Sequence, residues 1–78
     1  MTESASPYIS HPRIMVLGVQ PGKPPFRIVE IDGEMVAEAR SLAEVLEVAA
    51  DAGVPIHDVD DPDVVRWVGG DSLTWNPH

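Results

Sequence analysis

The alternation of apolar and polar side chains is clearest between Phe26 and Gly53. Phe26 to Ile31 and Glu34 to Ala39 are two such runs, separated by Asp32-Gly33. A two-residue hairpin loop of type I′ needs positive φ at both central positions, which Asp tolerates and Gly favours. That turn predicts a register in which Ile31 faces Glu34, Val29 faces Val36 and Arg27 faces Glu38, an opposite-charge pair across the strands. Val29, Ile31 and Val36 then share one face, and Phe26, Ile28, Met35, Ala37 and Ala39 the other. A helix is predicted from Ser41, because Ser41-Leu42-Ala43-Glu44 has the capping-box spacing and Gly53 supplies a stop. Leu42, Val45, Leu46, Ala49 and Ala52 make its apolar stripe, with Glu44, Glu47 and Asp51 toward water. The stripe is expected to cover the face of Phe26, Ile28 and Met35.

Upstream, Arg13 to Val19 reads as a strand with Ile14 and Val16 on one side and Met15, Leu17 and Val19 on the other. Apolar residues on both sides favour a central place in a sheet. Gln20 to Pro25, with three prolines, reads as a stiff loop; Gly22-Lys23 lacks the Walker spacing and the following helix of a phosphate loop. Downstream, Val54 to Val59 reads as a short strand, reached through the crossover helix and parallel to the strand before it. Asp61, Pro62 and Asp63 suit the start of a short second helix bearing Val64, Val65, Trp67 and Val68, which Gly69-Gly70 ends. Ser72 to Trp75 is expected to lie extended along a sheet edge or across the open sheet face.

These elements predict an α+β fold: a small, three- to four-stranded, mostly antiparallel sheet of order 3-2-1-4, one main helix on one face and a short C-terminal helix. Residues 1–12 read as a flexible N-terminal tail, 13–76 as a single domain and 77–78 as a frayed C-terminus. At 78 residues the chain makes one domain with a modest core, burying about 60 to 65% of its unfolded surface.

Composition narrows the function more than it names one. No Cys is present, which removes disulfides, thiolate metal sites and Cys nucleophiles and suits a reducing compartment. The N-terminal stretch has neither a basic start nor an apolar run, so the expected location is cytoplasmic. One Lys against four Arg, among many Ala, Val and Asp, points to a GC-rich bacterial gene. Thirteen acidic against five basic residues give a net charge of −8, which disfavours direct nucleic-acid or membrane binding and suits a basic protein partner or mimicry of nucleic acid.

The densest polar constellation is His57, Asp58, Asp60, Asp61 and Asp63, a set of oxygens and one imidazole of the kind that holds a divalent cation. Counted from Asp58, however, the sixth and twelfth positions are Asp63 and Gly69, where an EF-hand needs Gly and Glu. His57 and Asp58 are strand neighbours pointing to opposite faces, which argues against a catalytic dyad, and His11 and His78 sit near the termini. No nucleophile, base and oxyanion set assembles, so neither catalysis nor a cofactor is expected.

One helix cannot cover both hairpin faces, so Val29, Ile31 and Val36 need a cover of their own. Either the C-terminal segment with Val64, Val65, Trp67, Leu73 and Trp75 folds over them, or a partner does, a second copy of the chain or another protein, with Trp67, Trp75 and Arg66 as anchors. The expected function is a small acidic protein-binding domain, interaction or regulatory in kind. The alternative is an acidic nucleic-acid mimic that binds a basic nucleic-acid-binding protein.

Overall fold

The computed structural model describes residues 12–76; the expectations for the N-terminal tail, His11 and the last two residues lie outside the described residues. The elements run β1 (Ile14–Val16), β2 (Arg27–Ile31), β3 (Glu34–Ala39), α1 (Leu42–Asp51) and β4 (Val65–Trp67). They form a four-stranded sheet of order β3-β2-β1-β4, so the α+β class and the 3-2-1-4 order are those the sequence predicts. The sheet is mixed: β1 and β3 run antiparallel to β2, whereas β4 runs parallel to β1.

The hairpin turn forms as predicted, with Asp32 at φ 54° and Gly33 at φ 85°. Its outer end is tied to the start of β1. The Asp32 N–H donates to the Arg13 carbonyl at 2.8 Å, and the Arg13 guanidinium donates from Nε and Nη2 to the two Asp32 carboxylate oxygens at 2.9 and 2.8 Å.

The register departs from expectation one residue later. Ile31 faces Glu34 and Glu30 faces Met35, but Val29 faces Ala37 and Arg27 faces Ala39, leaving Val36 as the extra residue of a β-bulge. Val36 therefore does not face Val29, and the Arg27–Glu38 pair does not form. A bulge inverts the face of every residue beyond it. Here it turns Ala37 and Ala39 to the side of Val29 and Ile31 and sends Glu38 to the side of Ile28. Ala39 is buried against α1 and its small side chain lets the helix approach closely. The helix thus covers the Val29 and Ile31 face, and the expectation that it covers Phe26, Ile28 and Met35 is corrected.

Ser41 caps α1 in extended backbone geometry, its Oγ accepting from the Glu44 N–H at 3.3 Å. The reciprocal bond reaches one residue further than a capping box requires: Glu44 Oε1 accepts from the Arg40 N–H at 2.8 Å. At the other end the Gly53 N–H donates to the Ala50 carbonyl and the Val54 N–H to the Ala49 carbonyl, the paired bonds of a Schellman stop. Val45 and Ala49 are the buried residues of the stripe, and Val48 packs beside them.

The second helix is replaced by one turn and a strand. Asp61 accepts from Asp63 N–H through its carboxylate, and its carbonyl accepts from Val64 and Val65, but the turn does not propagate. Val65, Arg66 and Trp67 instead add to the free edge of β1, with Val65 buried, Arg66 exposed and Trp67 half-buried. β-branched and aromatic residues in alternation gain more from that pleated ladder than from a helix with no partner face. The fourth strand is consequently β4 and not Val54 to Val59. Pro55 lacks the N–H a ladder needs, and Val54 and Ile56 pack onto the core from a loop. Ser72 to Trp75 is likewise a turn, closed by Thr74 N–H to the Asp71 carbonyl, rather than an extended strand. The core is Ile14, Val16, Val29, Ile31, Ala39, Val45, Ala49 and Val65, all between the sheet and α1 or the C-terminal segment.

Replacing the Ser41 hydroxyl tests the capping assignment. Ser41→Ala is expected to cost about 1 kcal/mol, a fall of about 4 to 8 °C in the thermal midpoint followed by far-ultraviolet circular dichroism.

Candidate partner-binding face

The two sides of the sheet are finished differently, and Arg27 is responsible for one of them. Its position in β2 has the same parity as Val29 and Ile31, so its side chain points into the covered side, where it is 0% exposed. The guanidinium donates from Nε to the Leu17 carbonyl at 2.8 Å, from Nη1 to the Asp71 and Thr74 carbonyls at 2.8 and 2.7 Å, and from Nη2 to the Val68 carbonyl at 3.0 Å. Its central carbon lies 5.2 Å from the Trp67 ring centroid and 5.4 Å from that of Trp75. The two indoles meet edge to face at 6.4 Å, and each N–H is satisfied, Trp67 by the Val59 carbonyl and Trp75 by that of Ser72. Burial pulls the guanidinium below its ordinary pKa, opposed by the nearby Asp71 carboxylate. An arginine remains cationic there.

That cage folds the C-terminal segment over the end of the covered side. Gly70, at φ 147°, permits the return, because a Cβ there would lie 2.8 Å from Cβ and Cγ2 of Thr74. The Asp71 carboxylate then accepts from Leu73 N–H and Thr74 Oγ1, which holds it below the usual carboxylate range. The hydrogen bonds from Arg13 lower Asp32 in the same direction.

The opposite face carries no such cover among the described residues. Pairing places Arg66, Met15, Glu30 and Met35 in one row across β4, β1, β2 and β3. Ile28 and Glu38 form a second row, to which the Leu17 N–H adds its bond to the Ile28 carbonyl. Met15, Leu17 and Ile28 are half-buried, and Met35 is 59% exposed. Phe26 closes one end beneath the proline loop, where a Cβ on Gly22 would meet its ring at 3.2 Å. The Glu38 carboxylate lies 3.8 Å from the Arg40 guanidinium. The result is an apolar patch of Met15, Leu17 and Ile28, with Glu30 between Met15 and Met35 in one row and Glu38 beside Ile28 in the other.

The residues singled out from sequence fall in different places. Val29 and Ile31 are core residues; Trp67 and Trp75 pack on the core around Arg27; Arg66 lies on the open face. Val36, 47% exposed at the bulge, lines a shallow groove of about 320 Å³ with Ala37, Val48, Asp51 and Ala52 on the helix side. A second cleft of about 280 Å³ lies beside Arg13, Val54, Pro55 and Asp63. In the His57 to Asp63 stretch, Asp58 and Asp61 accept from the N–H groups two residues on. Among the described residues no three His, Asp or Glu side chains converge as a metal-ligand set, and no helix is long and apolar enough to cross a membrane. Met15, Leu17, Ile28, Glu30, Met35 and Glu38 were not marked as a site by sequence. Their signal was the two apolar sides of β1, which require a second cover beyond a single helix. No family model, curated protein or solved structure matches the chain.

Two predictions follow from Arg27 and the carboxylates. Arg27→Met leaves four carbonyls without their donor and is expected to cost about 3 kcal/mol or more, at least about 12 °C in thermal midpoint, with loss of the near-ultraviolet tryptophan signal. Arg27→Lys should fall between, since one ammonium cannot span four acceptors. For acid, Asp32 and Asp71 are both lowered on folding, so the stability they contribute is present above their unfolded pKa of about 3.9 and is lost as pH falls through the folded values. Melts below about pH 4 should therefore drop, and Asp32→Asn with Asp71→Asn should flatten that drop.

Proposed function

We propose that the chain is a protein-binding domain, without catalysis, that docks another protein on the open face of its sheet. The observation that carries the reading is the one-sided cover. α1 and the Arg27 cage finish one side, while on the other Met35 is exposed and Met15, Leu17 and Ile28 are half-buried with no element laid over them among the described residues. Apolar strips rimmed by polar groups are the common form of a protein-binding surface. The nucleic-acid mimic rests on the net charge of −8, which leaves the apolar patch without a role.

A photo-crosslinking residue at position 35, compared with one at position 47 on the solvent side of α1, tests this in the cells that encode the chain. The expected result is a discrete adduct from position 35 only, retained in high salt. Adducts at neither or both positions would refute the face, and an adduct lost as salt rises would favour the mimic.

A further inference from the structure

The hairpin turn is the one place in the chain where an Asp is followed by Gly. That dipeptide has a reaction of its own. The backbone nitrogen of the glycine attacks Cγ of the aspartic acid, closing a succinimide ring and releasing one carboxyl oxygen as water. The ring reopens by adding water, and addition at its main-chain carbonyl leaves isoaspartate, in which the backbone runs through Cβ. Mass and charge are unchanged, since one water leaves and one returns. Glycine favours the closure because no Cβ hinders its nitrogen.

Most of the surroundings leave this route open. Asp32 and Gly33 are exposed, and a Cβ placed on Gly33 would meet nothing within 4 Å. Among the described residues the Gly33 N–H has no backbone acceptor. The restraint comes from the start of β1. The Arg13 fork takes both Asp32 oxygens, at 2.9 and 2.8 Å, and the Arg13 carbonyl accepts from the Asp32 N–H at 2.8 Å. A two-point hold of this kind fixes the plane of the carboxyl group. It also favours the carboxylate over the neutral acid, and the carboxylate is the poorer electrophile because its oxygen leaves as water only after gaining a proton. The side chains of the pair are 46% and 49% exposed, and exposed ion pairs add little to folding stability.

We propose that Arg13 guards Asp32-Gly33 against closure to the succinimide, and that this turn is the chain's site of spontaneous backbone modification when the guard is removed. The product breaks the hairpin. A type I′ loop has a fixed backbone length, and isoaspartate adds a carbon between Ile31 and Glu34, the pair that begins the β2–β3 register. The clamp therefore preserves a register on which the bulge at Val36 and the burial of Ala39 both depend.

The rate of isoaspartate formation at position 32 tests this. The full chain is incubated for weeks near neutral pH, well below its thermal midpoint, and cut with trypsin. The peptide from Ile28 to Arg40 is fragmented by electron transfer, which separates isoaspartate from aspartate despite their equal mass. A synthetic peptide of the same residues gives the unguarded rate. The folded chain is expected to react at least about tenfold more slowly than that peptide, Arg13→Gln about fivefold or more faster than the wild-type chain, and Arg13→Lys between the two. Ser41→Ala, which weakens the fold away from the turn, should keep the wild-type rate. A wild-type rate equal to the peptide's would overturn the guard. So would Arg13→Gln reacting no faster than wild type, which would place the protection in the turn backbone alone. A rise in Ser41→Ala as large as that in Arg13→Gln would also overturn it, by showing that opening of the whole chain sets the rate. Should Arg13→Gln not melt cooperatively, Arg13→Lys decides, and a wild-type rate in that variant overturns the guard.

Discussion

The fold depends on one buried cation. Arg27 sits in a central strand of a domain whose core is otherwise eight small or branched aliphatic residues, and it is the only charged side chain among the buried ones described. A charge taken from water costs several kcal/mol unless its hydrogen bonds are replaced. Four backbone carbonyls and two indole faces replace them here. The carbonyls come from three places, the end of β1, the residue after β4 and the C-terminal turn, so satisfying one guanidinium determines how the last part of the chain lies. The planar fork imposes directions as well as distances, which is why arginine suits the role and a lysine does not.

The bulge at Val36 is the second constraint, and it acts through parity. Without it, Ala37 and Ala39 would lie with Ile28 and Met35, and α1, which seeks small residues beneath it, would follow them. The extra residue moves the two alanines under the helix on the Val29 side and moves Glu38 outward. One inserted residue therefore decides which side of the sheet is closed by the chain and which remains as an acidic, methionine-bearing surface.

The acidic stretch around Asp58 to Asp63 illustrates how a cluster read as possible ligands has a local use. Asp58 and Asp61 each bind an N–H two residues ahead and shape the approach to β4. Asp residues favour such turns because the short carboxylate reaches its own backbone. Part of the net charge of the chain is thus turn chemistry, whereas sheet alternation sets Glu30 and Glu38 on the side of Met15 and Ile28.

Local rules were legible in the sequence wherever a residue's own backbone preference settles the matter. Asp32-Gly33 determined the turn, Ser41 and Gly53 the two ends of α1, and the doubly apolar β1 its central place and the 3-2-1-4 order. Features that depend on distant partners were not. The bulge at Val36 is one such feature, since a periodicity of two contains no sign of where it breaks. The choice of Val65 to Trp67 over Val54 to Val59 as the fourth strand turns on which segment best fills the free edge of β1. Arg27 looked like half of a cross-strand ion pair with Glu38 because its neighbours in sequence say nothing of Trp67, Trp75 and four carbonyls that only the folded chain brings to it. The open face has the same origin: sequence shows that apolar surface exceeds what one helix can cover, and only tertiary packing decides which side is left.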